Sequence, residues 1–349
     1  MRLAGAAFMD KPRIAITLGD VAGIGPEVAA RAVADGRARD CCRPVVIGDA
    51  AILQRSIDLA GVAICIQECD SLAEAVRIDA AEAIGVWNPL GKSVADVPPG
   101  KISPVAGRAA HDWLVAAIDA ALAHQIDAIT TAPLSKAALH AADLHYPGHT
   151  EILAERCGVR DFAMMLYLPA GEALRGDSGL GIAHVTLHTS IASVPDLLST
   201  ESVRSTIGLV DGFLRRVGCE KPRVGVCALN PHAGEEGLFG DEEQRLIAPA
   251  VRQAKADGID AAGPFPADTL IRRAVLGEFD GIAAMYHDQG HIALKLIGFG
   301  TAVNVTLGLP IVRTSPSHGT AFDIAWQGQA DATGMVEAIC VAAKLASSR

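Results

Sequence analysis

Aromatic residues make up only 4% of the 349-residue chain, and Lys and Arg nowhere gather into a basic run. The formal net charge is -10. A surface for a nucleic-acid backbone needs clustered cations, so no nucleic-acid partner is expected. No apolar run reaches the roughly 20 residues of a membrane-spanning helix, so no membrane partner is expected either. The eight cysteines, Cys41, Cys42, Cys65, Cys69, Cys157, Cys219, Cys227 and Cys340, include no CxxC pair. That spacing argues against a zinc ribbon or a disulfide framework and for reduced thiols in a cytoplasmic protein. Gly-x-Gly-x-x-Gly is missing, so there is no Rossmann fingerprint. Repeats, low-complexity tracts and Pro/Ser-rich linkers are missing as well. The apolar stretch before Lys11 is too brief for a secretory signal, and residues 1–12 read as a loose N-terminal extension.

What is abundant is small and apolar. Half of the residues are hydrophobic, with 35 glycines and a mean hydropathy of +0.30. A chain this long buries a large core and suggests two domains. Strands are expected at 14–18, 44–48, 128–131, 162–168, 181–187, 224–229, 282–286 and 302–307. Helices are expected from Pro26, over 51–59, 105–122, 194–217 and 241–256, and from Gly334 to Ala346. This alternation predicts an α/β fold with mostly parallel sheets and flanking helices.

Five features carry chemistry. Gly19-Asp20-Val21-Ala22-Gly23-Ile24-Gly25-Pro26-Glu27 is a Gly-rich turn into a helix N-terminus, where free N–H groups suit an anion; a tight turn without a ligand reads equally well. Thr131-Ala132-Pro133-Leu134-Ser135-Lys136 ends in a lysine that either faces solvent or seats an anion. Gly148-His149-Thr150-Glu151 follows as a helix start, with His149 either at the surface or on a substrate. His188, His232 and His287 each come just after a strand, and three neutral imidazoles make a divalent-ion site if they meet; His184, inside its strand, reads as a packing residue. Lys295, Asn304 and Arg313 are spaced along two apolar strands around the turn Gly308-Leu309-Pro310. Buried cations of this kind need an anionic partner or an internal ion pair. Last, Ser317-His318-Gly319-Thr320-Ala321-Phe322-Asp323-Ile324-Ala325 reads as a small loop entering a helix, either ordinary or receiving the adenosine end of a dinucleotide.

Taken in order, Gly19–Glu27, Gly148–Glu151, Asn230-Pro231-His232-Ala233-Gly234-Glu235, Pro266-Ala267-Asp268-Thr269, Tyr286-His287-Asp288-Gln289-Gly290 and Arg313-Thr314-Ser315 with His318-Gly319-Thr320 resemble the 4-hydroxythreonine-4-phosphate dehydrogenases. The resemblance runs from about Ile14 to the C-terminal helix. It implies a two-domain, isopropylmalate-dehydrogenase-like subunit with its active site in the interdomain cleft, in a homodimer whose partner completes the site. Residues 13–135 plus 296–349 would form the discontinuous NAD-side domain, and 136–295 the metal and dimer side. The resemblance implies a metal on His188, His232 and His287, with zinc first and Mg, Mn or Co as alternatives. Substrate contacts would come from His149, Thr150, Lys295, Asn304 and Arg313. NAD, with NADP as the alternative, would lie against Gly308, His318, Gly319, Thr320, Ala321 and Asp323. Asp268 and Lys136, with His149, are the general-base candidates. The chemistry implied is oxidation and decarboxylation of a small 4-phosphorylated 3-hydroxy acid. His291, after the HDQG motif, resembles instead a branch acting on D-threonate or D-erythronate 4-phosphate. A zinc hydrolase using Glu235 or Glu236 is the rival from another class.

Overall fold

The computed structural model describes residues 11–348. Apart from Lys11 and Pro12, the extension expected over 1–12 lies outside the described residues. The chain forms two compact units. The first comprises residues 1–160 and 309–349, and the second residues 161–308.

The first unit opens with β1 (Arg13–Thr17), β2 (Arg43–Ile47), β3 (Ile66–Cys69), β4 (Ile84–Trp87) and β5 (Ala128–Thr131). The second holds β6 (Ala163–Leu168), β7 (Leu180–His184), β8 (Arg223–Cys227), β9 (Asp260–Phe265), β10 (Gly281–Ala284) and β11 (Val303–Leu307). The chain then returns to the first unit for β12 (Arg313–Pro316). In the first unit the strands lie in the order β3-β4-β2-β1-β5-β12, all parallel. In β5 and β12 every residue is buried, as expected for parallel strands covered on both faces. The helix Pro104–Leu122 covers this sheet with Trp113, Leu114 and Ile118, each at most 1% exposed. Burial of each such side chain contributes about 1.5–3 kcal/mol.

In the second unit the order is β11-β6-β7-β10-β8-β9, antiparallel at β11–β6–β7 and parallel beyond. Leu166, Ile182, Leu270, Ile282 and Leu294 form its core. The α/β class with mostly parallel sheets and flanking helices is thus as expected.

Several local expectations need correction. The helix expected over 194–217 is two helices, Val194–Leu197 and Thr200–Arg216, because Ser199 caps the second through a reciprocal bond with Ser202. The helix expected over 241–256 begins as a wide π-type turn, Glu243–Ile247, before Ala248–Ala256. Lys295 is not on a strand; it lies on the helix His287–Gly298, which buries Leu294. No helix follows the loop at Ser317 directly, since the next one starts at Thr333. The units divide at 160/161 and 308/309, whereas the sequence suggested 135/136 and 295/296. The helices Lys136–Ala141 and His149–Cys157 pack on Pro104–Leu122 of the first unit. The helix His287–Gly298 packs on β6 and β7 of the second.

Candidate active site

In the first unit, three loops converge after β1, β5 and β12. Asp20 N donates to Pro133 O at 2.9 Å, and Ile24 N to Thr320 O at 2.9 Å. Gly19 has φ +65, and any Cβ there would collide with Pro133 O, so glycine is dictated by both conformation and space. Glu27, 1% exposed, is consumed by the backbone, accepting from Trp326 N and Gly328 N. Its fixed carboxylate thereby shapes the loop that follows His318.

Arg313 starts β12 and is 1% exposed. Its Cα is level with Ile129 of β5, and its Nη2 reaches on to Thr131 Oγ1 at 2.6 Å. Burial lowers the guanidinium to about 9, with Glu151 opposing that shift, so it stays charged at neutral pH. His149 begins the helix His149–Cys157 and hydrogen-bonds the carbonyl of Ala132. Burial first, and the charge of Arg313 second, hold its imidazole well below the ordinary histidine value, hence neutral. Thr150 beside it is 7% exposed. A Cβ on Gly148 would lie 3.5 Å from Glu151 Oε2 and 3.9 Å from Lys136 Cε, which sets those two side chains close to the same helix start. The structure therefore gathers Arg313, His149, Thr150 and Lys136. It adds Thr131 and Glu151, to which the sequence gave no role of their own. A neutral imidazole, a helix N-terminus and a buried guanidinium together suit a phosphate or carboxylate.

The proposed dinucleotide loop is only partly gathered. His318 Nδ1 lies 3.1 Å from Gly319 O, Thr320 is tied to Ile24, and Asp323 O accepts from Gln327 Nε2 at 2.8 Å. Ala321 adopts φ 40. Gly308 belongs to the second unit, where at φ +85 it turns the chain after β11 and packs closely on Asp161 O. Its local role is that turn.

In the second unit, His188 and His287 meet. Their ring centroids are 5.7 Å apart, and both line a pocket of ≈ 470 Å³ with Tyr286 and Asp288. His287 Nδ1 is 2.7 Å from Asp288 Oδ1. Gln289 fixes the backbone here, accepting from Met285 N at 2.7 Å and donating to Ala228 O at 2.8 Å. His232 stands apart, on the turn Pro231–Gly237 with φ 52 and its ring 6.5 Å from Phe239. Glu243 anchors that turn; its Oε1 accepts from Leu229 N at 2.8 Å and Asn230 N at 2.7 Å. Among the described residues, no three His, Cys, Asp or Glu side chains converge on one point. The donor chemistry of the pocket, two imidazoles and a carboxylate, nonetheless fits a divalent ion.

Two histidines join this pair. His184 is 1% exposed, with its ring 4.8 Å from His291, and His291 stacks on His287 at 3.8 Å. Burial lowers His184 to about 4 and His291 to about 3. The packing role expected of His184 thus comes with a polar partner. Lys295 lies 5.7 Å over the ring of Phe299, Asn304 Oδ1 on β11 is buried without a hydrogen-bond partner among the described residues, and Asp268 is exposed in the first turn of the helix Ala267–Val275.

A parallel sheet that collects a buried arginine, an imidazole and a lysine near its strand ends, and a second sheet that collects imidazoles, is the arrangement of an α/β enzyme for a small anionic substrate. Comparison with known proteins makes this specific. The chain belongs to the family of the pyridoxal phosphate biosynthetic protein PdxA, whose model matches residues 40–342. It is 45% identical over 336 residues to 4-hydroxythreonine-4-phosphate dehydrogenase of Geobacter metallireducens, covering 96% of each chain. It is 44% identical over 340 residues to D-threonate 4-phosphate dehydrogenase of Salmonella typhimurium, covering 97% of this chain and 100% of that one. A crystal structure of 4-hydroxythreonine-4-phosphate dehydrogenase from Klebsiella pneumoniae superposes with a TM-score of 0.80 at 43% identity, over 96% of this chain and 99% of that one. These names are of dehydrogenases, which implies a nicotinamide cofactor and sets the hydrolase reading aside. No helix among the described residues is long and apolar enough to cross a membrane.

Proposed function

We propose that this chain is a metal- and NAD-dependent 4-hydroxythreonine 4-phosphate dehydrogenase that oxidises the 3-hydroxyl of its substrate and releases the carboxylate as carbon dioxide. The observation that carries this reading is Arg313, a buried cation held by Thr131 beside His149 and the start of a helix. An anionic substrate would join that group, next to the Glu151 carboxylate that already acts on Arg313. In the first unit, Arg313 and the backbone at His149 and Thr150 bind the phosphate or carboxylate. His149, neutral with its one N–H on the Ala132 carbonyl, offers its other ring nitrogen as an acceptor to a substrate hydroxyl. Lys136 adds charge near Gly148 and is a candidate base, with Asp268 and His149. His318, Gly319, Thr320, Ala321 and Asp323 are the proposed dinucleotide contacts, and NAD supplies the hydride acceptor. His188, His232 and His287 are the proposed metal ligands; they would hold a divalent ion, which would supply Lewis-acid stabilisation of negative charge on the substrate hydroxyl oxygen. Lys295 and Asn304 are proposed as further polar contacts to substrate. The protein is proposed to act as a cytoplasmic homodimer.

The overall balance is simple. The C–H and O–H bonds of the alcohol break, with hydride going to NAD and the proton to a base. The resulting β-keto acid then loses carbon dioxide, and its carbon takes up a proton. A second reading, oxidation of D-threonate or D-erythronate 4-phosphate, is favoured by His291 and by the 44% identical relative named for D-threonate 4-phosphate. NADH formation with the three substrates side by side, at fixed metal, decides between them. Preference for 4-hydroxythreonine 4-phosphate supports the first reading, and preference for a sugar acid the second. No NADH from any of them would sink both.

A further inference from the structure

Behind the pocket of His188 and His287 lies a second layer of imidazoles that the proposed reaction leaves without a task. His184 ends β7, and its Nδ1 lies 3.0 Å from the carbonyl oxygen of Met164. A carbonyl only accepts, so this nitrogen carries a proton. His184 Nε2 lies 3.2 Å from His291 Nδ1. Two N–H groups cannot face each other at that distance, so one of these nitrogens is unprotonated. A doubly protonated His184 would place a charge, beside the imidazoles of His291 and His287 and with the Asp288 carboxylate as a weak counter-charge, at a position that is 1% exposed, which is costly. His184 is therefore a neutral ring that donates through Nδ1 and accepts through Nε2. His291 is the ring that donates, through Nδ1, to His184 Nε2. The arrangement is built closely: a Cβ on Gly290 would come within 2.6 Å of His184 Nε2. From this position the His291 ring lies flat on His287, with centroids 3.8 Å apart and planes 13° apart.

We propose that His184 and His291 are positioning residues that together set the ring plane of His287. The chain Met164 carbonyl–His184–His291 fixes one tautomer and one orientation of His291, and the stacked face of His291 then fixes His287. A histidine that is held before its ligand arrives binds it without first losing rotamer freedom. The positioning role rests on the reading of His287 as a metal ligand. The tautomer chain does not.

The test uses the full-length chain labelled with 15N-histidine. In chelator-treated protein, ring-nitrogen chemical shifts report which nitrogen of each histidine is protonated. His184 and His291 are expected with the proton on Nδ1. His184→Leu removes the acceptor and should release His291 to a mixture of tautomers. His184→Gln keeps a donor and an acceptor at similar spacing and should retain the wild-type tautomer of His291. Zn2+ affinity, measured by competition with a chromophoric chelator, should fall about tenfold or more in His184→Leu, the usual scale for a lost outer partner. It should recover in His184→Gln. Thermal midpoints close to wild type show that both variants fold; if His184→Leu does not, His291→Leu is read in the same affinity assay and should show the same loss. A wild-type His291 protonated on Nε2, or unchanged Zn2+ affinity in a folded Leu variant, overturns the proposal. Wild-type protein that takes up no Zn2+ overturns the metal reading and the positioning role with it. The metal-free tautomers tell that outcome apart from failure of the relay.

Discussion

Asp20 gives the most quantitative handle on the first unit. It is fully buried, its Oδ1 accepts from Ala22 N at 2.9 Å, and its Oδ2 has no hydrogen-bond partner among the described residues. Burial, opposed by the Ala22 bond, raises the carboxyl from 3.8 to about 6. That rise corresponds to about 3 kcal/mol between the two protonation states. The native pKa lies above the unfolded one. The stabilising contribution is thus fully present below about pH 4, fades as pH climbs, and is lost once pH passes about 6. Asp20→Asn keeps the acceptor for Ala22 and cannot ionise. Urea unfolding of both proteins at pH 4, 5.5 and 7.5 should show nearly equal stability at the lowest pH. The variant should gain steadily, up to about 3 kcal/mol at the highest. An advantage that does not grow with pH, or a variant less stable at pH 7.5, would refute the reasoning.

Other residues offer independent checks. Arg313→Met should fold, since it replaces a buried side chain with an apolar one of similar length, yet lose at least about 3 kcal/mol of transition-state binding, roughly 100-fold in kcat/KM; steady-state kinetics alongside circular dichroism would show it. Glu243→Gln halves the charge-assisted hold on Leu229 N and Asn230 N. It should cost about 1–3 kcal/mol by calorimetry and reduce turnover through the His232 turn. Trp113→Ala removes a fully buried ring whose Nε1 donates to Asn88 Oδ1 at 3.1 Å. It should destabilise the chain by about 3–5 kcal/mol in the same experiment, with little effect on the metal affinity of the second unit.

Legibility in the sequence followed how local each signal is. Strands such as β1 and β2 carry short apolar runs because helices cover both faces. Arg313 was expected on a strand after the Gly308–Pro310 turn, and β12 is that strand; its polar Thr-Ser-Pro is buried only by the tertiary pairing with β5. β3 escaped because it is an edge strand with two exposed residues in four. The helix His287–Gly298 escaped because its exposed Ile292, Leu296 and Phe299 side blurs the amphipathic pattern. Lys295 was misplaced on a strand for that reason. His188, His232 and His287 come after strands, as their place in the sequence suggests. Only the structure separates the pair that meets from His232 on its own turn. Glu27, Glu243 and Asp20 carry no sequence sign of burial; each is inside because backbone N–H groups distant in sequence, or an adjacent turn, need an acceptor there.

Metal-dependent oxidative decarboxylation is read by measuring NADH and carbon dioxide together, from 4-hydroxythreonine 4-phosphate, with enzyme stripped by a chelator and then reconstituted with a divalent metal. Stripped enzyme is expected to form no product, and reconstituted enzyme equal amounts of NADH and carbon dioxide. Full turnover without metal, or NADH without carbon dioxide, would contradict it.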